Sequence, residues 1–217
     1  MSLAIFDLDN TLIDGDSDHA WGEFLIDQGI VDAIHFKKAN DQFYRDYQLG
    51  QLDIQAYLSF ALTPLSRFSL AELNDLHAKF FTSKIQALIL PKAEALITEH
   101  RQKGDRILVI TATNSFVTRP IVSAFGIDDM LASEGEIVNG RYTGKCSGIP
   151  CYQEGKVQRL HDWLEIQHEN LTGSYFYSDS VNDEPLLSTV DHPVAVDPDA
   201  NLRRIANSRG WPIISLR

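Results

Sequence analysis

The 217-residue chain has little cysteine, a minority of positive charge and no long apolar run. Its two cysteines, Cys146 and Cys151, fit neither a Cys-x-x-Cys metal motif nor the dense disulfide framework of small secreted proteins. Apolar stretches such as residues 107–110 are far shorter than the ~20 residues that span a bilayer. We therefore expect a reducing compartment and no membrane partner.

The deficit of positive charge excludes another class of partner. Lysine and arginine number 19 against 30 aspartates and glutamates, which gives a formal net charge of −11 at pH 7. A surface of this sign repels phosphodiester backbones, so we expect no nucleic-acid partner. The N-terminal run reaches Asp7 too soon for a secretory signal, and the chain is predicted to be cytoplasmic. A hydrophobic fraction of 44% is ordinary for a globular protein and excludes a disordered chain.

Short apolar runs that end in polar residues recur along the chain and predict buried strands. They lie at residues 3–6, 107–110, 175–177, 194–196 and 213–216. Helical patterns alternate with them: residues 91–103 stop at Gly104, and residues 116–125 stop at Gly126. Pro120 would break the second helix unless it lies in the first turn. The alternation predicts an α/β fold, a Rossmann-like three-layer doubly wound parallel sheet with the first strand at its centre.

Residues 15–88 follow a different pattern. Aromatic residues recur there at helical spacing, no strand-like run interrupts them, and Ser69 to Glu72 has the form of a helix capping box. We interpret this stretch as a helical cap domain inserted after the first strand, with residues 1–14 and 89–217 forming the core domain. Within the core, Asn139-Gly140 predicts a β-hairpin over about residues 134–149.

The first predicted strand ends in two aspartates. Asp7 and Asp9 are two residues apart on extended chain, so their side chains point to the same side. In doubly wound folds, ligands collect beyond the carboxyl ends of the strands, which places both acids at the expected crevice. An acid after a strand also commonly caps the next turn, and for an isolated pair of aspartates that interpretation is favoured.

Three further segments carry polar residues that suit the same crevice. One strand runs into Thr111, another runs into Asp179 with Asn182 and Asp183 close behind, and Lys156 begins an amphipathic helix. A hydroxyl after a strand is usually a helix cap, and a lysine is usually a solvated charge. Each segment is therefore weakly informative by itself, whereas their types and order along the chain are informative together.

Together these segments resemble the motifs of the haloacid dehalogenase superfamily of aspartate-nucleophile phosphohydrolases. The likeness is to its D-x-D-x-T, S/T, K and D-x-x-x-D motifs, and it extends over the whole chain, including the helical insertion. The phosphoserine-phosphatase-like branch (subfamily IB) is more similar than the others. Within that branch, the opening run of the histidinol-phosphate phosphatases resembles residues 6–17. The resemblance implies a Mg²⁺-dependent phosphomonoesterase that acts on a small phosphate ester.

The resemblance also implies roles for individual residues. Asp7 would attack phosphorus to give an aspartyl-phosphate, and Asp9 would protonate the departing alkoxide and later deprotonate water. Mg²⁺ prefers hard oxygen ligands and would be held by Asp7, Asp179 and the backbone carbonyl of Asp9. The phosphoryl oxygens would be bound by Thr111, Ala112 and Lys156. The metal and Lys156 would be surrounded by Thr11, Asn182 and Asp183.

Besides dehalogenation, two rival functions are considered: a phosphotransferase and a receiver-type module. Dehalogenases of the superfamily carry no acid at the second position, so Asp9 favours phosphoryl chemistry. Mutase-like phosphotransferases tend to carry glycine after the second aspartate, where this chain has Asn10. A non-enzymatic receiver-type module needs neither Asp9 as an acid nor a long helical insertion. Hydrolysis is therefore the leading interpretation.

Asp16 predicts the type of substrate. It lies nine residues beyond Asp7, where the similar phosphoserine phosphatases carry an acid that pairs with the substrate ammonium. Those phosphatases hold the substrate carboxylate with a cap arginine, yet no arginine occurs at residues 46–66, and Arg67 lies just beyond. We expect an amino phosphate without a carboxylate, with histidinol phosphate favoured over phosphoserine or a broad range of small metabolites. The alternative is that Asp16 only caps a helix.

The histidine and aromatic side chains of the insertion are expected to pack rather than to bind substrate. The seven histidines of the chain include no pair at metal-ligand spacing. His19 is predicted to be a first-turn helix residue, and Trp21, Phe24, Phe43 and Tyr47 are predicted to form the core of the cap. The oligomeric state is left open.

Overall fold

A seven-stranded sheet is the centre of the structure, a computed structural model that describes residues 2–217. Its strands are β1 (Leu3–Phe6), β2 (Arg106–Asn114), β3 (Asp129–Val138), β4 (Arg141–Ser147), β5 (Tyr175–Ser178), β6 (His192–Val196) and β7 (Ile213–Ile214). Their spatial order is β4-β3-β2-β1-β5-β6-β7, and every neighbouring pair is parallel except β3 and β4. The sheet therefore has β1 at its centre, as predicted, and the antiparallel pair of β3 and β4 is the predicted hairpin.

Both faces of β1 are covered, which explains why its sequence is apolar throughout. Side chains alternate between the faces of a strand. Ala4 and Phe6 accordingly belong to one hydrophobic cluster, and Leu3 and Ile5 belong to the other. Two clusters on opposite faces of one sheet give three layers, which confirms the Rossmann-like α/β fold.

Nine α-helices accompany the sheet within residues 2–217. They are α1 (Ser17–Asp27), α2 (Ala33–Gln48), α3 (Ile54–Leu62), α4 (Leu70–Phe80), α5 (Pro91–Lys103), α6 (Ser115–Ala124), α7 (Glu154–Gln167), α8 (Glu184–Leu187) and α9 (Ala200–Arg209). Residues of α5 and α6 pack in the cluster of Phe6, whereas residues of α7, α8 and α9 pack in the cluster of Ile5. None of these helices combines the length and the hydropathy that a membrane crossing needs.

Helices α1 to α4 form a helical segment between β1 and α5. Within residues 15–88 the segment contains no strand, and the predicted capping box is present at Ser69 and Glu72. Trp21 and Phe80 of this segment belong to the same hydrophobic cluster as Phe6 of the sheet. The helices therefore pack continuously onto the sheet layer, and their treatment as a separate cap domain is our proposal.

The chain enters and leaves the helical segment through two adjacent stretches. Ile13 and Ile89 form an isolated antiparallel bridge, and the amide of Asp14 donates to the carbonyl of Leu88 at 2.8 Å. The first of these stretches follows β1 by only a few residues. The bridge therefore holds the helical segment next to the carboxyl end of the central strand.

Helix α6 runs through Pro120, so the break expected there does not occur. Proline removes one backbone donor from a helix interior and is normally disruptive. Here the side chain of Asn114 caps the helix start by accepting from the amide of Val117 at 3.2 Å. Val117 and Ile121 are fully buried against the sheet. Capping and burial together stabilise α6 against the loss of one backbone hydrogen bond.

The predicted hairpin is formed by β3 and β4. Asn139 and Gly140 both have positive φ, as a two-residue hairpin turn requires, and Val138 pairs with Arg141 across the turn. The first part of β3 pairs in parallel with β2, and its second part pairs antiparallel with β4. The hairpin thus extends the sheet at one edge.

Candidate active site

Asp7 lies directly after the central strand, and the neighbouring strands fix its position. Its amide donates to the carbonyl of Tyr177 in β5 at 2.9 Å, and its carboxylate Oδ1 accepts from Lys156 Nζ at 2.8 Å. The Asp7 side chain is buried. Burial raises the pKa of Asp7 to about 7, although the nearby ammonium of Lys156 opposes the shift. Asp7 is therefore a desolvated carboxyl group paired with a single cation.

Lys156 is almost fully buried and is shared by two carboxylates. Its Nζ lies 2.8 Å from Asp7 Oδ1 and 2.7 Å from Asp183 Oδ1. Burial alone would lower the pKa of the Lys156 ammonium, yet the charges of Asp183 and Asp7 outweigh it and raise that pKa. The hydroxyl of Ser178 also donates to Asp183, at 2.7 Å. Lys156 is thus a fixed positive charge next to Asp7.

A tight turn before α7 directs Lys156 into the site. Gln153 has φ 47, and a Cβ placed on Gly155 would lie 2.1 Å from the carbonyl oxygen of Pro150. Only glycine fits such an approach of two backbone segments. Gly155 is therefore a structural requirement of the site that sequence reasoning missed, although its position directly before Lys156 was a usable signal.

Asp179 follows β5 and adds a third carboxylate near Asp7. Thr11 Oγ1 donates to Asp179 Oδ1 at 3.2 Å, which links the loop after β1 to the end of β5. Burial, followed by the charges of Asp7 and Asp183, raises the pKa of Asp179 well above its ordinary value. Lys156 alone leaves these carboxylates with an excess of negative charge.

The donor chemistry at this position fits Mg²⁺. In residues 2–217, no three His, Cys, Asp or Glu side chains converge in a metal-binding arrangement. Mg²⁺ does not require three, because it usually takes one or two carboxylates and completes its shell with water and substrate oxygens. Asp7, Asp179 and the backbone carbonyl of Asp9 would supply such a set. A divalent cation would also offset the repulsion from Asp7 and Asp183, which adds to the effect of burial in raising the pKa of Asp179.

Asp9 is buried and is held by two donors from different elements. The amide of Ser17, at the start of α1, donates to Asp9 Oδ1 at 2.6 Å, and Thr113 Oγ1 donates to Asp9 Oδ2 at 2.9 Å. Burial, followed by repulsion from Asp16, raises the pKa of Asp9 to about 7. A carboxyl group with a pKa near neutrality can both give and take a proton at physiological pH.

A cleft that is partly open to solvent lies between the helical segment and the ends of β1 and β2. It brings together several predicted site residues, namely Asp7, Asp9, Asp16, Thr111 and Ala112. The helical segment adds His19, Phe43 and Tyr47 to its lining, three side chains that were expected only to pack. Trp21 and Phe24 are buried in the hydrophobic cluster, as expected.

Asp16 has a capping function and also lines the cleft. Its Oδ1 accepts from the amides of Asp18 and His19 at 3.0 and 2.7 Å, which caps α1. Burial raises the pKa of Asp16 to about 6. Sequence reasoning treated these as alternatives, and it missed Asp18 and Tyr57, which also line the cleft. The close spacing of Asp16 and Asp18 could have indicated two acids at the cleft. The same spacing is also typical of the first turn of a capped helix, so it did not distinguish the two.

Asn182 connects the core to the helical segment. Its side-chain oxygen accepts from the Tyr152 hydroxyl at 2.9 Å, and its amide nitrogen donates to the carbonyl of Tyr47 in α2 at 2.9 Å. Asn182 is adjacent in sequence to Asp183, which binds Lys156. The loop that positions Lys156 is therefore hydrogen-bonded to the helices that cover the cleft.

Comparisons with known proteins agree with this fold. Residues 4–188 match the family model of the haloacid dehalogenase-like hydrolases. The chain is 47% identical over 220 residues to a histidinol-phosphatase of Neisseria meningitidis, covering 100% of this chain and 99% of that protein. A crystal structure of a Bordetella pertussis protein of unknown function has a TM-score of 0.93 at 41% identity, covering 100% of this chain and 99% of that one.

A structure of phosphoserine phosphatase carrying an analogue of the phospho-aspartyl intermediate is similar in fold. Its TM-score is 0.72 at 16% identity, covering 100% of this chain and 93% of that chain. Identity this low shows the fold alone. The chain belongs to the haloacid dehalogenase-like hydrolase family, which confirms the resemblance of its motifs. It is a hydrolase of the phosphoric monoester class.

Proposed function

We propose that this phosphatase is a Mg²⁺-dependent phosphomonoesterase that acts through an aspartyl-phosphate intermediate, with histidinol phosphate as its substrate. The observation that carries the choice of substrate is the charge of the cleft. Asp16 and Asp18 line it, whereas no lysine or arginine occurs among its lining residues within the described chain. The 47% identity to a protein named histidinol-phosphatase supports the same substrate.

Asp7 is the nucleophile in this proposal. One of its carboxylate oxygens forms a bond to phosphorus while the bond from phosphorus to the ester oxygen breaks. A carboxylate approaching a phosphate dianion meets strong repulsion, which the ammonium of Lys156 reduces because it lies 2.8 Å from Asp7. Thr111 and Ala112 lie in the second half of β2 and line the cleft. In this proposal they bind the phosphoryl oxygens through their backbone and hydroxyl groups.

Asp9 transfers the protons. In its protonated form it gives a proton to the departing alkoxide, and the resulting carboxylate then takes a proton from the water that attacks the aspartyl-phosphate. That attack releases inorganic phosphate and restores Asp7 and Asp9. Hydrogen bonds from Ser17 and Thr113 hold the Asp9 carboxyl group in place through both steps.

Mg²⁺ would be held by Asp7, Asp179 and the backbone carbonyl of Asp9. When bound, it supplies positive charge to the phosphoryl oxygens, in addition to the charge of Lys156. Thr11 orients Asp179 for this role through its hydrogen bond to Oδ1.

The Asp9→Asn variant is expected to lose more activity on substrates with poor leaving groups than on p-nitrophenyl phosphate. Asparagine keeps the backbone carbonyl but removes the proton donor, so hydrolysis of an alkyl phosphate should slow by about 10²-fold or more. p-Nitrophenolate leaves without a proton and should show a smaller loss. Steady-state kcat on both substrates measures the difference, and equal losses would remove Asp9 from the general-acid role.

Addition of Mg²⁺ is expected to raise the Tm of the wild type at about pH 7.5 and to raise it less at about pH 5. The pKa of Asp179 is raised by burial and by its acidic neighbours, so this carboxyl group takes up a proton as pH falls and then competes with the cation. Because its pKa is raised, the carboxyl group of Asp179 holds its proton more tightly in the folded, metal-free protein than in the unfolded chain. The stability of the protein without metal should therefore fall as pH rises.

The Asp179→Asn variant provides the control for this thermal-shift series. It should show little Mg²⁺-dependent increase in Tm at either pH. An increase equal to that of the wild type would place the metal elsewhere.

Phosphoserine is a poor fit to the cleft because its carboxylate would face acids without a cation. Desolvating an unpaired carboxylate is strongly unfavourable. Arg67, the nearest arginine after residues 46–66 in sequence, donates to the carbonyl of Ile30 at 3.2 Å and is not among the residues that line the cleft. Histidinol phosphate carries an ammonium and an imidazole and has no carboxylate.

A phosphate-release assay with Mg²⁺ tests the proposal. Histidinol phosphate should give a higher kcat/KM than phosphoserine, sugar phosphates or nucleotides, with sustained turnover. A preference for phosphoserine would contradict the proposed substrate. A single burst without turnover would indicate a receiver-type module, and transfer of the phosphoryl group to a second hydroxyl would indicate a phosphotransferase.

A further inference from the structure

Two carboxylates of α1 face the cleft next to the reacting groups. Asp16 precedes the first residue of α1 and Asp18 lies in its first turn, and both line the cleft. Asp18 is 5% exposed. The proposed mechanism uses Asp7, Asp9 and Lys156. It gives no function to Asp18.

Asp18 is fixed in position by the core. Its Oδ1 accepts from the side-chain nitrogen of Asn114 at 3.1 Å. The orientation of the Asn114 amide is itself set, because its oxygen accepts from the amide of Val117. Burial raises the pKa of Asp18 to about 6, which leaves this group ionised at neutral pH. Asp18 is therefore a rigid, desolvated negative charge at the wall of the cleft.

The protein supplies little positive charge to balance Asp16 and Asp18. The amide groups at the start of α1 are directed to Asp16 and to Asp9. Among the described residues that line the cleft, His19 is the only basic side chain, and its Nε2 is paired with Asp41 at 3.0 Å. Lys156 is occupied by Asp7 and Asp183. Two negative charges at the cleft wall thus remain for a ligand to neutralise.

We infer that Asp18 is a specificity-determining residue that binds a second basic group of the substrate, beyond the ammonium that Asp16 accepts. The substrate class is a phosphate monoester whose alcohol part carries two nitrogen bases. This inference rests on the proposed function, since histidinol phosphate has an ammonium and an imidazole. A substrate with one ammonium would leave one of these two carboxylates without a cationic partner, at a cost in affinity.

Aromatic side chains of the helical segment complete this part of the cleft. Phe43, Tyr44 and Tyr57 all line it, and Tyr57 lies close enough to Asp18 to affect its pKa. Aromatic rings pack favourably against a planar cation such as imidazolium. The combination of an acid with flanking rings favours a flat, basic heterocycle over a second aliphatic ammonium.

The test compares two amino phosphates, one with a basic aromatic ring and one with a ring that is not basic. Histidinol phosphate carries an ammonium and an imidazole, whereas 2-amino-3-phenylpropyl phosphate carries the same ammonium and a ring without nitrogen. In the Asp18→Asn variant, the ratio of kcat/KM for the first substrate to that for the second should fall about tenfold or more. In Asp16→Asn, kcat/KM for both amines should fall by similar factors, because both carry the ammonium.

Asparagine is a suitable replacement because its oxygen can still accept from Asn114. Asp75→Asn is the matched control: Asp75 is an exposed aspartate on α4, and its substitution should leave the ratio at the wild-type value. A fall in kcat/KM by the same factor for both phosphates in Asp18→Asn would show that Asp18 only fastens α1 to the core. An unchanged ratio would also overturn the inference.

Failure of the proposed function is a separate outcome. A wild type that prefers another phosphate to histidinol phosphate contradicts the proposed substrate. In that event, the two amino phosphates are compared as inhibitors of p-nitrophenyl phosphate hydrolysis. The ratio of their inhibition constants then measures how strongly the cleft discriminates between them. A weaker discrimination in Asp18→Asn than in wild type would still support the role of Asp18, and equal discrimination would overturn it.

Discussion

Replacement of Asp7 with asparagine is expected to reduce turnover by about 10³-fold or more while the protein stays folded. An amide is a poor nucleophile and a weaker ligand for Mg²⁺ than a carboxylate. Its oxygen can still accept from Lys156, which lies 2.8 Å from Asp7 Oδ1, so the packing of the site should change little. Phosphate release from p-nitrophenyl phosphate and from histidinol phosphate measures the effect.

Trapping of the intermediate distinguishes a nucleophile from a metal ligand. Wild type quenched with acid during turnover should gain the mass of one phosphoryl group, and hydroxylamine should remove it because acyl phosphates react with amines. Asp7→Asn should gain no such mass, whereas Asp75→Asn should behave as wild type. A phosphorylated Asp7→Asn protein, or one with wild-type turnover, would place the nucleophile elsewhere.

The Lys156→Met variant is expected to lose both activity and stability. It leaves Asp7 and Asp183 buried without their shared cation, and removal of one partner from a buried ion pair typically costs about 3–5 kcal/mol of the free energy of unfolding. Methionine has a similar length, so the loss reports on charge more than on volume. Urea unfolding at neutral pH measures the effect. The deficit should shrink at lower pH, where the unpaired carboxyl groups take up protons.

A double variant separates the contribution of Lys156 to folding from its contribution to catalysis. Lys156→Met combined with Asp183→Asn removes one of the stranded charges and should recover part of the stability but none of the activity. Unfolding of Lys156→Met at the wild-type urea concentration would show that the ion cluster contributes no net stability. Recovery of turnover in the double variant would remove Lys156 from phosphate binding.

The features that sequence predicted are those set by local pattern. The apolar run at residues 3–6 predicted a strand buried on both faces. The end of that run also predicted that the two aspartates after it lie at the carboxyl end of the strand. The turn at Asn139 and Gly140 likewise depends on backbone preferences of two residues. Local pattern did not predict that α6 continues through Pro120. Capping by Asn114 and burial against the sheet outweigh the tendency of proline to break a helix.

The features that local sequence pattern could not predict depend on contacts between distant segments. Lys156 and Asp7 are 149 residues apart, and only the family resemblance brought them together before the structure was known. The contact between Asp18 and Asn114 spans 96 residues, and no spacing rule indicates it. The inclusion of Tyr57 in the cleft similarly follows from how α3 packs. Such contacts require the three-dimensional arrangement of the helical segment on the sheet.

The two adjacent chain stretches that connect the sheet to the helical segment restrict how these two parts can move relative to each other. Asp7 and Asp9 are buried, so we expect the helices to tilt away from the sheet when a substrate enters. Two chain stretches joined by the bridge of Ile13 to Ile89 resist twisting and sliding against each other, and bending is the soft direction that remains. We therefore expect opening to be a tilt about one axis near this bridge. A disulfide across residues 13 and 89 should be tolerated during catalysis, whereas a cross-link between Tyr47 and Asn182 should prevent substrate entry.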